Sequence, residues 1–245
     1  MTETIRLAKR VAEALPCSRS EAEQYIENGW VEVNGTVIEE PGFRVAPDQQ
    51  IALLPGATPG APEPVTLVLH KPAGIETGSA ASPDISALLQ LLTPAARAAD
   101  DRSGIRLLRR HFTGLRMTDA LEAEASGLVV LTADWRIARK LIDDAARIEQ
   151  EYIVEVGGTL TPDGLALLNH GLRFSGKALA PAKVSWQNET RLRFALKAPA
   201  RGLIRHMCEA VGLEVRAIRR IRIGRLPLAG LPQGQWRYML KYEKF

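Results

Sequence analysis

The sequence predicts an α+β protein in two parts, a small module of two helices plus a hairpin joined to a larger domain built on a mainly antiparallel mixed sheet. Three observations carry this expectation. The stretch Pro55-Gly56-Ala57-Thr58-Pro59-Gly60-Ala61-Pro62-Glu63-Pro64 holds four prolines in ten residues. Such a stretch continues neither a helix nor a central strand, and it keeps the chain extended. Upstream of it, two short helical patterns precede an Asn34-Gly35 hairpin signal. Downstream, strand and helix patterns mix without a regular βαβ beat, which points to an antiparallel sheet with helices on its faces. The expected organisation is therefore a module over 1–56, a proline-rich linker over 57–64 and a larger domain over 65–245.

In chain order, Ile5, Leu7, Val11 and Ala12 to Leu15 give one amphipathic helix, stopped by Pro16. Ser18-Arg19-Ser20-Glu21 has the form of a capping box, so a second helix is expected from Ser18 to about Asn28, with Gly29 as its C-cap. Val31–Val33 alternates as a strand, Asn34-Gly35 fits a type I′ turn, and Thr36–Ile38, Val45 and Ile51–Leu54 supply further strand. In the larger part, Val65–Leu69 is a strand running into a Lys71-Pro72-Ala73-Gly74 turn, and Ser86–Leu92 is helical. Gly127–Thr132 reads as a buried strand, Asp134–Ala146 as a helix with arginines outward, and Tyr152–Val156 as a strand. Thr161–Asn169 is a helix, Lys183–Trp186 and Arg191–Leu196 are strands, and Leu203–Val211 is a helix closed by Gly212.

With 46% hydrophobic and 24% charged residues among 245, the composition suits a packed core and excludes a mainly disordered chain. No run approaches the roughly 18 apolar residues of a membrane helix, and Met1–Arg6 lacks the apolar core of a secretion signal. Cys17 and Cys208 form neither a disulfide framework nor a zinc pattern. A cytoplasmic protein with no membrane partner is expected. The net charge of +4 divides unevenly: residues 1–56 carry five basic and nine acidic side chains, while 197–225 carry Lys197 and seven arginines against two glutamates. Arg102, Arg106, Arg109, Arg110 and Arg116 form a second cluster. Arginine's planar fork suits phosphate, so both clusters point to an anionic partner.

The chain has no phosphate-binding Gly-rich loop ending in Gly-Lys-Ser/Thr, no His-Glu-x-x-His and no Gly-x-Ser-x-Gly. His70, His111, His170 and His206 stand singly, without ligand spacing. Neither a metal nor an organic cofactor is called for.

Residues 5–35 resemble the S-four RNA-binding domain through Arg6-Leu7, Lys9, Cys17-Ser18-Arg19, Glu21-Ala22, Ile26, Gly29 and Val31–Gly35. The resemblance implies phosphate contacts from Arg6, Lys9, Arg10 and Arg19, with Ser18 beside them. Family members usually carry a second basic residue after Arg19, where this chain has Ser20. The larger part resembles RNA pseudouridine synthases of the RsuA type. The matching blocks are Lys71–Gly74, Ser126–Thr132, Glu151–Val156, Arg205–Gly212, Arg220–Gly224 and Leu231–Arg237. That resemblance implies isomerisation of uridine in RNA with no cofactor, on a base flipped out of its stack. In the family an aspartate attacks the flipped nucleotide, a tyrosine stacks on the base and an arginine pairs with the aspartate. Ribosomal RNA is the first expected substrate and transfer RNA the second, with the protein acting as a monomer.

The family loop reads Gly-Arg-Leu-Asp before a Ser-Gly-Leu, and here the aligned stretch is Asp119-Ala120-Leu121-Glu122-Ala123-Glu124-Ala125. The nucleophile position is thus Glu122 and the loop arginine is Ala120. Tyr152 and Arg205 remain at the tyrosine and arginine positions. Lys71, Arg219, Arg220 and Arg222 are expected to bind RNA. Asp119 is three residues out of register and, on a strand, would point elsewhere. A glutamate oxygen sits roughly 1 Å further out than that of aspartate, enough to cost on the order of 100-fold in rate. Two expectations follow: a synthase working through Glu122, or an RNA-binding protein on the synthase fold that has weakened or lost catalysis.

Overall fold

A computed structural model describes residues 4–61, 63–78 and 82–245. Pro62, within the expected linker, lies outside the described residues. The chain divides into two compact units, Met1–Pro64 with Arg106–Thr113, and Val65–Ile105 with Gly114–Phe245.

In the first unit, β1 (Ile5–Arg6) pairs antiparallel with a later strand, so α1 begins only at Leu7 and runs Leu7–Ala14. Leu7, Ala8 and Val11 form its buried face. In α2 (Arg19–Glu27) the capping box forms: Ser18 Oγ accepts from Glu21 N at 3.2 Å, and Glu21 Oε2 accepts from Ser18 N at 2.7 Å. Next come β2 (Val31–Val33), β3 (Thr36–Val37), β4 (Arg44–Val45, the partner of β1) and β5 (Ile51–Leu53). The left-handed φ of Asn34 (50°) and Gly35 (77°) turns β2 into β3, and the small sheet has the order β3-β2-β5. Leu7, Val11, Ala22, Ile26, Val31, Val33 and Val45 close an apolar core between helices and strands.

Arg106–Thr113 packs with this unit although, by chain order, it falls inside 65–245. The Arg106 guanidinium stacks over the Trp30 ring at 5.1 Å and donates to the Gly29 carbonyl. Arg110 Nη2 reaches Asn28 Oδ1 at 2.7 Å, and Arg109 N reaches Glu39 Oε2 at 2.7 Å. Two arginines of the second charge cluster therefore fasten a segment to the small unit. At Gly29, where φ is 66°, an added Cβ would lie 2.6 Å from Leu108 Cδ2, so a side chain there would be strained and would force the Leu108 side chain to move.

The second unit contains β6 (Thr66–Lys71), α3 (Ser86–Leu89), β7 (Arg116–Met117), β8 (Ser126–Thr132), α4 (Trp135–Asp143), β9 (Glu149–Gly158) and α5 (Gly164–Asn169). It continues with β10 (Arg173–Phe174), β11 (Lys177–Ala178), β12 (Lys183–Asn188), β13 (Arg191–Lys197), α6 (Leu203–Glu209), β14 (Leu213–Ile223), β15 (Leu226–Pro227) and β16 (Trp236–Tyr238). The main sheet has the order β12-β13-β9-β14-β8-β6-β16. Of the strand pairs along it only β14 with β8 is parallel, giving the mainly antiparallel mixed sheet that the sequence predicts.

Central strand β14 is the long element that sequence patterning does not reveal. Its alternation is interrupted by register shifts at Val215/Ala217 and Arg220/Arg222. Each bulge moves the following side chains to the other face, so apolar residues no longer recur at every second position.

Candidate active site

A cavity of about 350 Å³ opens in the second unit, a volume at the lower end of small-ligand sites. Val130, Leu141, Ile148 and Ile204 supply apolar wall, while Asp119, Glu122, Gln150 and Tyr152 bring polar groups to it. Thr118 also lines it, and its buried hydroxyl has no hydrogen-bond partner among the described residues.

Strand register builds this site. Gln150 and Tyr152 are two residues apart on β9 and so project to the same face. Arg220 on β14 lies opposite Tyr152 on one side and opposite Gly127 of β8 on the other. Gly127 has φ 117°, and a Cβ there would meet the Arg220 carbonyl oxygen at 2.2 Å. Glycine is therefore what allows β8 and β14 to approach at this point.

The Arg220 side chain is 1% exposed, and each of its three nitrogens has an acceptor. Its Nε donates to the Leu128 carbonyl at 2.8 Å, and Nη1 donates to Asp119 Oδ2 at 2.6 Å and to Gln150 Oε1 at 3.3 Å. Gln150 Nε2 also donates to Asp119 Oδ2, at 2.7 Å, while the Tyr152 hydroxyl donates to Gln150 Oε1. Burial works against the guanidinium's charge, but Asp119 beside it holds its pKa above the ordinary value. Burial pushes the Tyr152 phenol up to about 12, so it stays protonated and acts as a donor.

Glu122 lines the same cavity on other terms. Its Oε1 accepts from Gly202 N at 2.7 Å, at the start of α6. The anticipated pairing of Glu122 with Arg205 is not formed. Arg205 sits further along α6, outside the cavity lining, and makes no ion pair or hydrogen bond among the described residues. The backbone N–H that opens α6 holds the glutamate instead.

Several basic residues expected to face RNA are placed otherwise. Lys71 is fully buried, and its ammonium donates to the carbonyls of Pro72 (3.0 Å), Ile75 (2.9 Å) and Ala123 (3.1 Å). All three of its protons are engaged inside the protein, and burial lowers its pKa to about 8. Arg220 is interior, as described. Arg222 is half-buried and bonds Glu149 at 2.6 Å and Glu151 at 2.7 Å. Arg219 is exposed, as are Arg6, Lys9, Ser18 and Arg19. Lys9 and Arg19 face Glu13 and Glu23 one helical turn on, and half-buried Arg10 reaches the Pro47 carbonyl at 3.4 Å.

Sequence reasoning set Asp119 aside as pointing elsewhere and missed Gln150. Asp119 lies in the loop between β7 and β8, where strand alternation does not govern its direction. Its partner Arg220 falls on an inward position of β14 that only the strand's bulged register reveals, and an inward arginine requires an anion nearby.

Comparison with known proteins bears on this geometry. The S4 domain profile matches residues 5–51. The ribosomal large subunit pseudouridine synthase B of Bacillus subtilis is 29% identical over 248 residues, covering 97% of this chain and 93% of that protein. Over nearly its whole length the chain is similar to RNA pseudouridine synthases that carry ribosomal or dual-specificity names. The dual-specificity RNA pseudouridine synthase RluF of Escherichia coli is 28% identical over 240 residues, 96% of this chain and 75% of that protein. A crystal structure of a pseudouridylate synthase shares the fold with a TM-score of 0.58 at 20% identity, covering 97% of this chain and 96% of the other. Among the described residues no helix is long and apolar enough to cross a membrane, and no group of three or more His, Cys, Asp or Glu side chains is arranged to hold a metal ion.

Proposed function

We propose that this protein isomerises uridine to pseudouridine in structured RNA, with ribosomal RNA as the first substrate and transfer RNA as the second. The reading places the reaction in the cytoplasm, carried out by a single chain. One observation carries it: in a family of synthases, the cavity holds a carboxylate paired with a buried guanidinium and tied through Gln150 to the buried Tyr152. A flipped uracil would lie along the Tyr152 side of the cavity, against its apolar wall. A cavity carboxylate then attacks the nucleotide, the glycosidic bond opens, and the base turns and rejoins through carbon. Exposed Arg6, Lys9, Arg19 and Arg219 are available to phosphates.

The test is to incubate purified protein with ribosomal RNA from a strain that lacks it and map pseudouridine chemically. New pseudouridine at a discrete uridine is the expected result, and no product on either ribosomal or transfer RNA sinks the proposal. A second reading, RNA binding without turnover, is favoured by Glu122 in place of aspartate, Ala120 in place of arginine and Arg205 outside the cavity. It predicts affinity that weakens steeply with salt and no product under any condition.

A further inference from the structure

We infer that Asp119, rather than Glu122, is the carboxylate that attacks the flipped nucleotide, held for that task by the buried Arg220. This rests on the synthase reading above and names the nucleophile within it.

The environments of the two carboxylates differ in three respects. Asp119 Oδ2 takes two strong donors, Arg220 Nη1 at 2.6 Å and Gln150 Nε2 at 2.7 Å. Its Oδ1 has no hydrogen-bond partner among the described residues, and the side chain is 37% exposed while lining the cavity. One oxygen is thus clamped and the other open, the arrangement an oriented nucleophile needs. Glu122 has no ion-pair partner among the described residues, and its single clamp is the Gly202 backbone N–H. Lastly, Gln150 bridges Asp119 and Tyr152, so the carboxylate is tied to the ring expected to meet the base. A carboxylate moved three residues upstream would also explain why Glu122 is tolerated at the family's aspartate position.

The chemistry balances. An Oδ1 lone pair forms a bond to ribose C1′ as the C1′–N1 bond breaks, and that electron pair leaves with uracil as its anion. After the base turns, C5 bonds to C1′ and the C1′–Oδ1 bond breaks, returning its pair to Asp119. The C5 proton passes to water, and N1 takes a proton from water.

Single-turnover rates and RNA affinity for wild type, D119N, D119E and E122Q test the assignment. D119N is expected to lose about 1000-fold or more in rate, with RNA Kd changed by less than about twofold. D119E keeps the charge for Arg220 but shifts the oxygen, and should lose about 100-fold. E122Q weakens only a contact to α6 and should lose about tenfold. D119N within about tenfold of wild type, or a larger loss in E122Q than in D119N, overturns the assignment and leaves the synthase reading standing. No product from wild type overturns both. If D119N fails to fold because Arg220 loses its counter-charge, D119E decides, and a rate equal to wild type refutes the inference.

Discussion

The two units handle charge in opposite ways. In the small unit the core from Leu7 to Val45 is wholly apolar, and Lys9 and Arg19 stand at the surface facing glutamates on their own helices. In the larger unit Lys71, Gln150, Glu151 and Arg220 are buried beside the aliphatic layers. Burying a charge is costly unless it is fully bonded, and each of these residues has its partners. The difference separates ion pairs made at a solvent-facing surface from polar groups held in one place by interior hydrogen bonds.

That contrast can be broken most severely at Arg220. R220M removes a buried charge, takes from Asp119 its guanidinium counter-charge and leaves the Leu128 carbonyl without its side-chain donor, and should destabilise the larger unit by about 3–5 kcal/mol in chemical denaturation. A melt indistinguishable from wild type would show that the ion pair does not hold the sheet. G127A follows at about 2–4 kcal/mol, combining a left-handed φ with a clash against the Arg220 backbone. Denaturant unfolding of G127A beside R220M should show the same unit failing in both.

Glu151 sharpens the comparison through pH. Arg222 bonding, opposed by burial and reinforced by Arg193, holds its carboxyl below the ordinary value of 4.5. A depressed acid stabilises the folded state above its unfolded pKa and loses that contribution as pH falls through the folded value. E151Q should therefore cost about 1.5–3 kcal/mol near neutral pH, and its gap to wild type should narrow below about pH 4.5. A gap that stays constant into acid would mean the pair contributes no linkage.

Effects in the small unit should be milder. S18A removes the N-cap of α2 and is expected to cost about 1 kcal/mol, read as a lower melting temperature without change in the cavity. R19A should leave melting unchanged and reduce the slope of log affinity against log salt by about one. An unaltered slope would remove Arg19 from the RNA contacts.

Much of the small unit is legible because its signals are local. The Ser18–Glu21 capping box and the Asn34-Gly35 turn need only a few neighbouring residues, and both form where expected. The start of α1 shifts to Leu7 because β4, some forty residues away, claims Ile5 and Arg6 as a strand. In the larger unit the apolar runs of β6 and β8 are plain, but β14 hides behind two bulges. Charge counting grouped Arg106, Arg110 and Arg220 with exposed arginines because sequence carries charge but not depth. The candidate site was legible in Tyr152 and in the loop that bears Glu122. It was not legible in Asp119, whose direction depends on a loop held by Arg220, 101 positions further on.

The sequence by itself determined the two-part α+β organisation, the capped helix pair and hairpin, and the ordered blocks that resemble RNA pseudouridine synthases, since each is written in adjacent residues. Only the tertiary structure decided which carboxylate receives a guanidinium, that Lys71 turns inward, and that residues 106–113 pack with the small unit. Ion pairing and burial depend on which distant strands lie side by side. That register is set by long-range pairing across β9, β14 and β8.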